Sequence, residues 1–425
     1  LPAEHVRSGL WRDRAFVLFW AARVIAIGGS TITAVVLPIL VFQLTGSALQ
    51  TALLATLEVL PYFLFGLPAG ALADRVDRRR LMVGCNLAQA LLVASIPLAA
   101  AAGMLTLTQV YVVALLVMTA FVWSDAANFG ALPALVGRAY VVEANSAIWA
   151  ATTMVGIIAP ALGGGLAALI GPANVIAINV ATFLGSALLL AIIARPFNQA
   201  RGSNPIKGSP LRRMSSDIRE GLAFLWRQPM VRTMTLVGFG NSFSGGAVVG
   251  LLVVYAVRAL GLPQTDARIG LFYTASAIGA FAASLLLPQL ARRFAVGKIT
   301  LVGLFAHLVV LVAVALAPNL WAGVVTVGVW QLCNTLIIIN AIALRQQVTP
   351  DHLQARVNTT ARMVGWGGQP FGAAAGGVLA EAFGVRAALL AVAVGVALSA
   401  VYGWFSPLRG EAPLVEVEPV AETPA

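Results

Sequence analysis

Glu58, Asp125 and Arg23 are ionisable residues set inside long apolar stretches. In hydrocarbon an isolated charge is costly, so such a group must be protonated, paired or open to water. A carboxylate in that setting can carry a proton or hold a cation. Glu58 has two readings: a proton-coupling acid, or a protonated side chain that makes a structural hydrogen bond to a neighbouring helix. A denser cluster follows at residues 70–80, "GALADRVDRRR". There Gly70 lets a neighbouring helix approach closely, and Asp74 can meet a helix N-terminal dipole. Arg75, Arg78, Arg79 and Arg80 can pair with acids or anchor to lipid phosphates. The same arginines would also serve as a topology anchor alone.

Other chemistry is sparse. The three histidines (His5, His307, His352) and two cysteines (Cys85, Cys333) are scattered, so no metal site, disulfide framework or hydrolytic cluster is expected. A membrane-embedded enzyme is therefore the weaker class of function, and no catalytic residue and no cofactor is assigned. His307 is expected to face lipid or to be hydrogen-bonded, and Glu381 to be interfacial.

These groups must be carried by membrane helices. The chain is 60% hydrophobic and 10% charged, whereas a soluble domain is nearer half apolar and a quarter charged. Runs long enough to cross a bilayer fall at 15–42, 50–73, 80–102, 107–132, 144–170, 173–194, 230–257, 267–290, 298–317, 320–344, 357–382 and 385–406. The expected fold is all-α and integral to the membrane, with twelve transmembrane helices in two six-helix bundles. A six-helix bundle over 1–197, a linker with an amphipathic helix over 198–229, a second bundle over 230–407 and a disordered acidic tail over 408–425 are expected. In the linker, Asp217 and Glu220 resemble a capping box, and Ile218, Leu222 and Leu225 share one face suited to the membrane surface. The first apolar run is too long for a cleavable signal peptide, and the opening at Leu1 suggests processing.

The net charge of +11 is distributed by topology rather than for nucleic acid. Arginines and lysines gather in alternate loops, which places both termini in the cytoplasm. The halves also repeat: at a shift of 218, Arg14 falls on Arg232, Arg23 on Asn241, and "LADRVDRRRL" on "LARRFAVGKI". Pro160 with Gly164 and Gly165 resembles Pro370 with Gly376 and Gly377 at a shift near 210. Two repeats of like orientation imply a pseudo-twofold axis along the membrane normal and a site between the halves.

The residue 70–80 segment resembles the signature loop of the major facilitator superfamily. "LWRDRAFVLFWAARVIAIGGS" and "LPALVGRAYVVEANSAIWAATTMVGIIAPALGGGL" extend the likeness to the macrolide-efflux and enterobactin-exporter branch. The resemblance implies a secondary exporter of an amphipathic organic compound, driven by the proton gradient, in the bacterial cytoplasmic membrane. A siderophore or metallophore exporter is the alternative. The implied partners are a small amphipathic substrate and the lipid bilayer, with no nucleic acid and a monomeric state. The resemblance also implies that Asp74 and the following arginines form a gating loop, with Arg78 meeting an acid low on the fourth span. Asp125 is the candidate, about 12 Å above the inner end of that span, but Arg23 rises about 13 Å and competes for it. Two departures stand out: the basic residue usual in the fourth span is missing, and Asp77 replaces a glycine, where it could adopt left-handed geometry. Pro160, Gly163 and Gly164 match part of the antiporter signature and suit a hinge, or ordinary close packing. Trp123, Asn128, Trp149, Asn241, Trp330, Gln331 and Asn334 are candidates to line a substrate cavity.

Overall fold

The computed structural model describes residues 9–73, 76–198, 210–350 and 353–410. Asp74 and Arg75 of the expected gating loop, and residues 411–425 of the tail, lie outside the described residues. The first six helices are α1 (Arg14–Thr45), α2 (Ala48–Ala73), α3 (Arg78–Ala101), α4 (Leu107–Val136), α5 (Val141–Ile170) and α6 (Pro172–Ala191). A connecting helix, α7 (Pro210–Arg227), precedes α8 (Pro229–Val254), α9 (Gly270–Ala291), α10 (Val296–Leu316), α11 (Leu320–Val348), α12 (Gln354–Trp366), α13 (Gly368–Phe383) and α14 (Val385–Trp404). Eleven of the described helices are long and apolar enough to cross a bilayer, so the chain is a multi-pass membrane protein.

Local chemistry sets the helix ends. Asp13, Asp77, Thr106 and Asn319 cap α1, α3, α4 and α11 by accepting a backbone N–H of the first turn. Asp77 has φ −67°, so it acts as a helix cap rather than as the left-handed turn residue its place in the loop suggested. Gly171 and Gly384 take φ of 82° and 85° at equivalent corners before α6 and α14, where a side chain would be strained.

The predicted span 357–382 is not one helix. It breaks at Gly367 into α12 and α13. Gly367 and Gly368 supply little helix propensity, and Pro370 denies the preceding turn a hydrogen bond, so the ladder yields there. The linker differs as well: α7 starts at Pro210, seven residues before the expected Asp217 start, because proline suits a first helical turn. Leu225 is buried with Val231, Leu353, Val357 and Ala361, while Leu222 and Trp226 are 43% and 55% exposed. The linker helix therefore packs on α12 instead of lying wholly on a membrane surface.

The helices sort by contact. α1 packs on α5 and α6, α3 on α4 and α6, and α2 on α4; α8 packs on α13 and α14, α9 on α11, and α10 on α11 and α14. Between these groups run two seams, α2 against α13 and α5 against α9. Both seams close at the ends remote from the chain termini, called here the far face. One apolar core joins Val35, Ile39, Phe42, Ala48 and Ala52 to residues of α8 at the far face. The cores near the termini face each belong to one half, around Phe16 and Leu135 in the first and around Met234 and Leu344 in the second.

The repeat is visible in the helix ends. α2 ends at Ala73 and α9 at Ala291, while α3 begins at Arg78 and α10 at Val296, all at the shift of 218 read from the sequence. From α5 onward the shift is 213, as Gly171 and Gly384 show. At that shift Gly163 and Gly164 match Gly376 and Gly377, but Pro160 no longer matches Pro370. The proline pairing at 210 is therefore corrected, and the glycine equivalence moves by one residue.

Candidate functional site

Arg23 of α1 and Asp125 of α4 form an ion pair at 3.1 Å, their side chains 14% and 23% exposed. The alternative left open by the sequence resolves here: Asp125 is held by Arg23, while Arg78 donates to the carbonyl of Gly130 at 3.0 Å. A side chain at 130 would collide with the Arg78 guanidinium, so the absence of one seats the arginine against the α4 backbone. Arg79 donates to the Ile193 carbonyl at 2.5 Å, and Arg195 pairs with Asp13 at 2.7 Å. These arginines knit the termini face of the first half to itself.

The ion pair lies on a level. At 1.5 Å per residue, Arg23, Asp125, Tyr62 of α2 and Arg362 of α12 each stand about 12–17 Å from the termini-face ends of their helices. Tyr62 lies within electrostatic reach of Asp125, Arg362 and Arg23, so side chains of both halves converge there. Glu58 stands one turn further toward the far face. It is half-buried, with no described hydrogen-bond or ion-pair partner. Its charge reaches Tyr273 of α9, whose hydroxyl is buried without a hydrogen bond. The structural hydrogen bond considered for Glu58 is not among the described contacts.

Above this level the halves are sealed. Thr56 donates to the Pro370 carbonyl at 3.1 Å, and Thr274 to the Ile157 carbonyl at 3.0 Å. At the far-face rim the Glu381 carboxylate accepts the Ala48 N–H at 2.8 Å and lies 3.5 Å from Arg258. Arg258 in turn donates to the Gly46 carbonyl at 2.5 Å. Glu381 is thus a helix cap supplied across the seam, at the positive N-terminal end of α2, and more than an interfacial charge. Small residues let the seams close. A methyl at Gly164 would meet the Ala267 carbonyl at 2.6 Å, and one at Gly377 would meet the Ala52 side chain at 2.8 Å. Gly163 faces Ile32 of α1, and α5 runs unbroken through Pro160. In this state Gly163 and Gly164 are packing positions, and the broken helix is the counterpart of α5. Among the described residues, every hydrogen bond between the halves lies on the far side of the Tyr62 level. The described contacts therefore leave a cleft between the halves that is closed beyond Glu58; at the termini face, residues 74–75, 199–209 and 351–352 lie outside the described residues.

Several expected cavity residues lie elsewhere. Asn241 and Asn334 are buried and bonded to each other at 2.7 Å. Trp330 is fully buried and donates to Nε2 of His307 at 2.9 Å, and Ser244 lies 3.1 Å from the same nitrogen. These residues fasten α8, α10 and α11 together, because a polar group in an apolar bundle must find its partner inside the protein. His307 is accordingly the hydrogen-bonded case of its two expectations. Trp123 lines a groove of about 390 Å³ between α3 and α4 with Arg80, Gly84 and Cys85. Gln331 bonds Thr335 one turn along its own helix. Asn128 is half-buried with an unpartnered oxygen, and Trp149 is 71% exposed on α5. Sequence reading missed Tyr62, Arg362 and Trp366. Arg362 could have been found, since an arginine five residues inside a predicted span is unusual, as Arg23 is.

Comparison with known proteins agrees with this architecture. A family profile described as transmembrane secretion effector matches residues 9–422. The multidrug efflux pump Tap of Mycolicibacterium fortuitum is 27% identical over 396 residues, covering 92% of this chain and 95% of Tap. The enterobactin exporter EntS of Citrobacter koseri is 26% identical over 345 residues, covering 81% of this chain and 80% of EntS. In fold, a bacterial homologue of the human lysosomal transporter Spinster, in an inward-facing and unoccupied conformation, superposes with a TM-score of 0.75. It is 16% identical, and the match covers 93% of this chain and 97% of that one. With a family match over nearly its whole length, the chain belongs to the transmembrane secretion effector family of major facilitator transporters.

Proposed function

We propose that the protein is a secondary exporter that moves an amphipathic organic compound out of the cell by alternating access, in exchange for protons. The observation that carries this reading is the partly exposed Arg23–Asp125 pair, set between two halves that are bonded to each other at the far face. In the proposed topology the termini face is cytoplasmic, twelve spans cross the membrane with α12 and α13 acting as one, and the cleft is open inward. The protein works as a monomer in the bacterial cytoplasmic membrane and needs no cofactor beyond the proton gradient. Glu58, poor in partners and next to the closed seam, is the proton-coupling acid. Asp125 exchanges partners as the cleft fills, and the residue 70–80 loop contributes to closing the termini face. The named efflux relatives support export as the direction. A siderophore exporter is the second reading, supported by the enterobactin-exporting relatives.

Reconstituted protein with a pH-sensitive dye inside the vesicles tests the proposal. Substrate-stimulated proton movement is expected for the wild type and should vanish in Glu58→Gln, while substrate binding is retained. Unchanged coupling in Glu58→Gln would remove Glu58 from the role. The absence of outward transport by the wild type would reject the exporter reading.

A further inference from the structure

Arg362 is a cation of the cleft. It is exposed on α12, and among the described residues no carboxylate pairs with it. Its guanidinium carbon stands 4.6 Å from the ring centroid of Trp366, one turn along the same helix, and that indole is 36% exposed. Asp125, the acid at the same level, is already engaged by Arg23 at 3.1 Å. Behind Arg362 the buried Arg345 adds a second positive charge within electrostatic reach. The Arg23–Asp125 pair nearly cancels itself, and Glu58 stands one turn further toward the far face, so the charge left at the level of Arg362 is its own and that of Arg345.

Stacking fixes what such an arginine can do. A guanidinium laid over an indole keeps its edge N–H groups free for a planar oxyanion, while the indole face can receive an aromatic ring. A position eight residues into α12 is deeper than the flanking charges that set topology. Its charge acts on Tyr62 of the opposite half, which places Arg362 near the space between the halves.

We propose that Arg362 and Trp366 form the recognition platform for substrates that are aromatic organic anions, with a carboxylate, sulfonate or phenolate joined to a ring. The proposal rests on the exporter reading for its biological sense, but its binding chemistry can be tested separately. Trp366 stacks the ring, Arg362 holds the oxyanion, and Tyr62 closes the pocket from the other half.

The test uses the full chain in nanodiscs, with naphthalenesulfonate, naphthylmethanol and naphthylmethylammonium as matched anionic, neutral and cationic probes. Titration calorimetry against empty nanodiscs should give the anion an advantage of about tenfold or more over the alcohol, as for a charge-assisted hydrogen bond. Arg362→Gln should abolish that advantage and leave alcohol binding within about twofold, while Arg362→Lys should keep part of it. Trp366→Leu should weaken all three probes, and it provides the test should Arg362→Gln fail to fold. No anion advantage in the wild type, tightest binding of the cation, or an advantage that survives Arg362→Gln would each overturn the proposal. Transport in inverted vesicles separates the two readings. Movement of the cation but not the anion rejects the platform and leaves the exporter. Anion binding without movement of any probe rejects the exporter and leaves the platform.

Discussion

At the scale of single residues, Asp125 and Arg23 hold one another because each would otherwise be a partly buried charge without a counterion. Asp125→Asn is expected to cost about 2 kcal/mol, less than the roughly 3–5 kcal/mol of a fully buried pair because both side chains keep some contact with water. The double substitution Arg23→Gln/Asp125→Asn should recover part of that loss. Thermal unfolding of the four proteins in one detergent, treated as a double-mutant cycle, measures the coupling directly. Both charges were legible in the sequence, since charges within apolar spans are rare and helical rise sets their depth. Which of Arg23 and Arg78 holds Asp125 was not legible, because rise gives no azimuth. The same limit misplaced Trp330, Asn241 and Asn334. A membrane helix is apolar toward lipid and toward its neighbours alike, so no period marks which face borders a cavity and which borders a packed bundle.

At the scale of elements, the two seams are built alike. Gly164 of α5 meets the start of α9, and its repeat equivalent Gly377 of α13 meets the start of α2 at Leu49 and Ala52. Ala52 is itself the equivalent of Gly270, which packs on the Pro160 carbonyl. The seams thus obey one pseudo-twofold rule in which a small residue on one helix receives the backbone of the other. Gly164→Val should therefore part the far face without disturbing either bundle, since added bulk at a backbone contact typically costs about 1–3 kcal/mol. Increased reaction of a cysteine placed at Thr56 with a membrane-impermeant maleimide added on the far face would register it. A labelling rate equal to that of the parent would mean that the seam absorbs the bulk. The helices themselves were largely legible from hydropathy, and the repeat from glycine and arginine spacing. The division of the eleventh span was not, because Gly367 and Gly368 lie inside a stretch whose hydropathy alone reads as continuous.

At the scale of the whole molecule, the far face is held by a few polar contacts at its rim and an apolar core beneath. Glu381 joins them, since it pairs with Arg258 on its own half and caps α2 on the other. Glu381→Gln removes the charge that faces the α2 dipole and Arg258. Spin labels at Ala102 and Pro318, on far-face loops of opposite halves, should then report a longer distance population in double electron–electron resonance. An unchanged distribution would mean that the apolar core around Val35 and Leu251 and the other cross-half hydrogen bonds hold that face without the Glu381 charge. Asp74 of the gating loop lies outside the described residues, and the cross-half charge contact among the described ones lies at the opposite face. It escaped notice because Glu381 sits near a helix end, where a charge is ordinary.

The break at Gly367 has a mechanical side. α13 is clamped to α2 and α8, while α12, beyond the break, is gripped by the connecting helix α7 through Leu225. α8 also touches α12, so the two helices on either side of Gly367 share that support. The connecting helix α7 thus packs on the helix that carries Arg362 and Trp366. A force carried by the connecting helix would act on α12, and so on the helix that holds those two side chains.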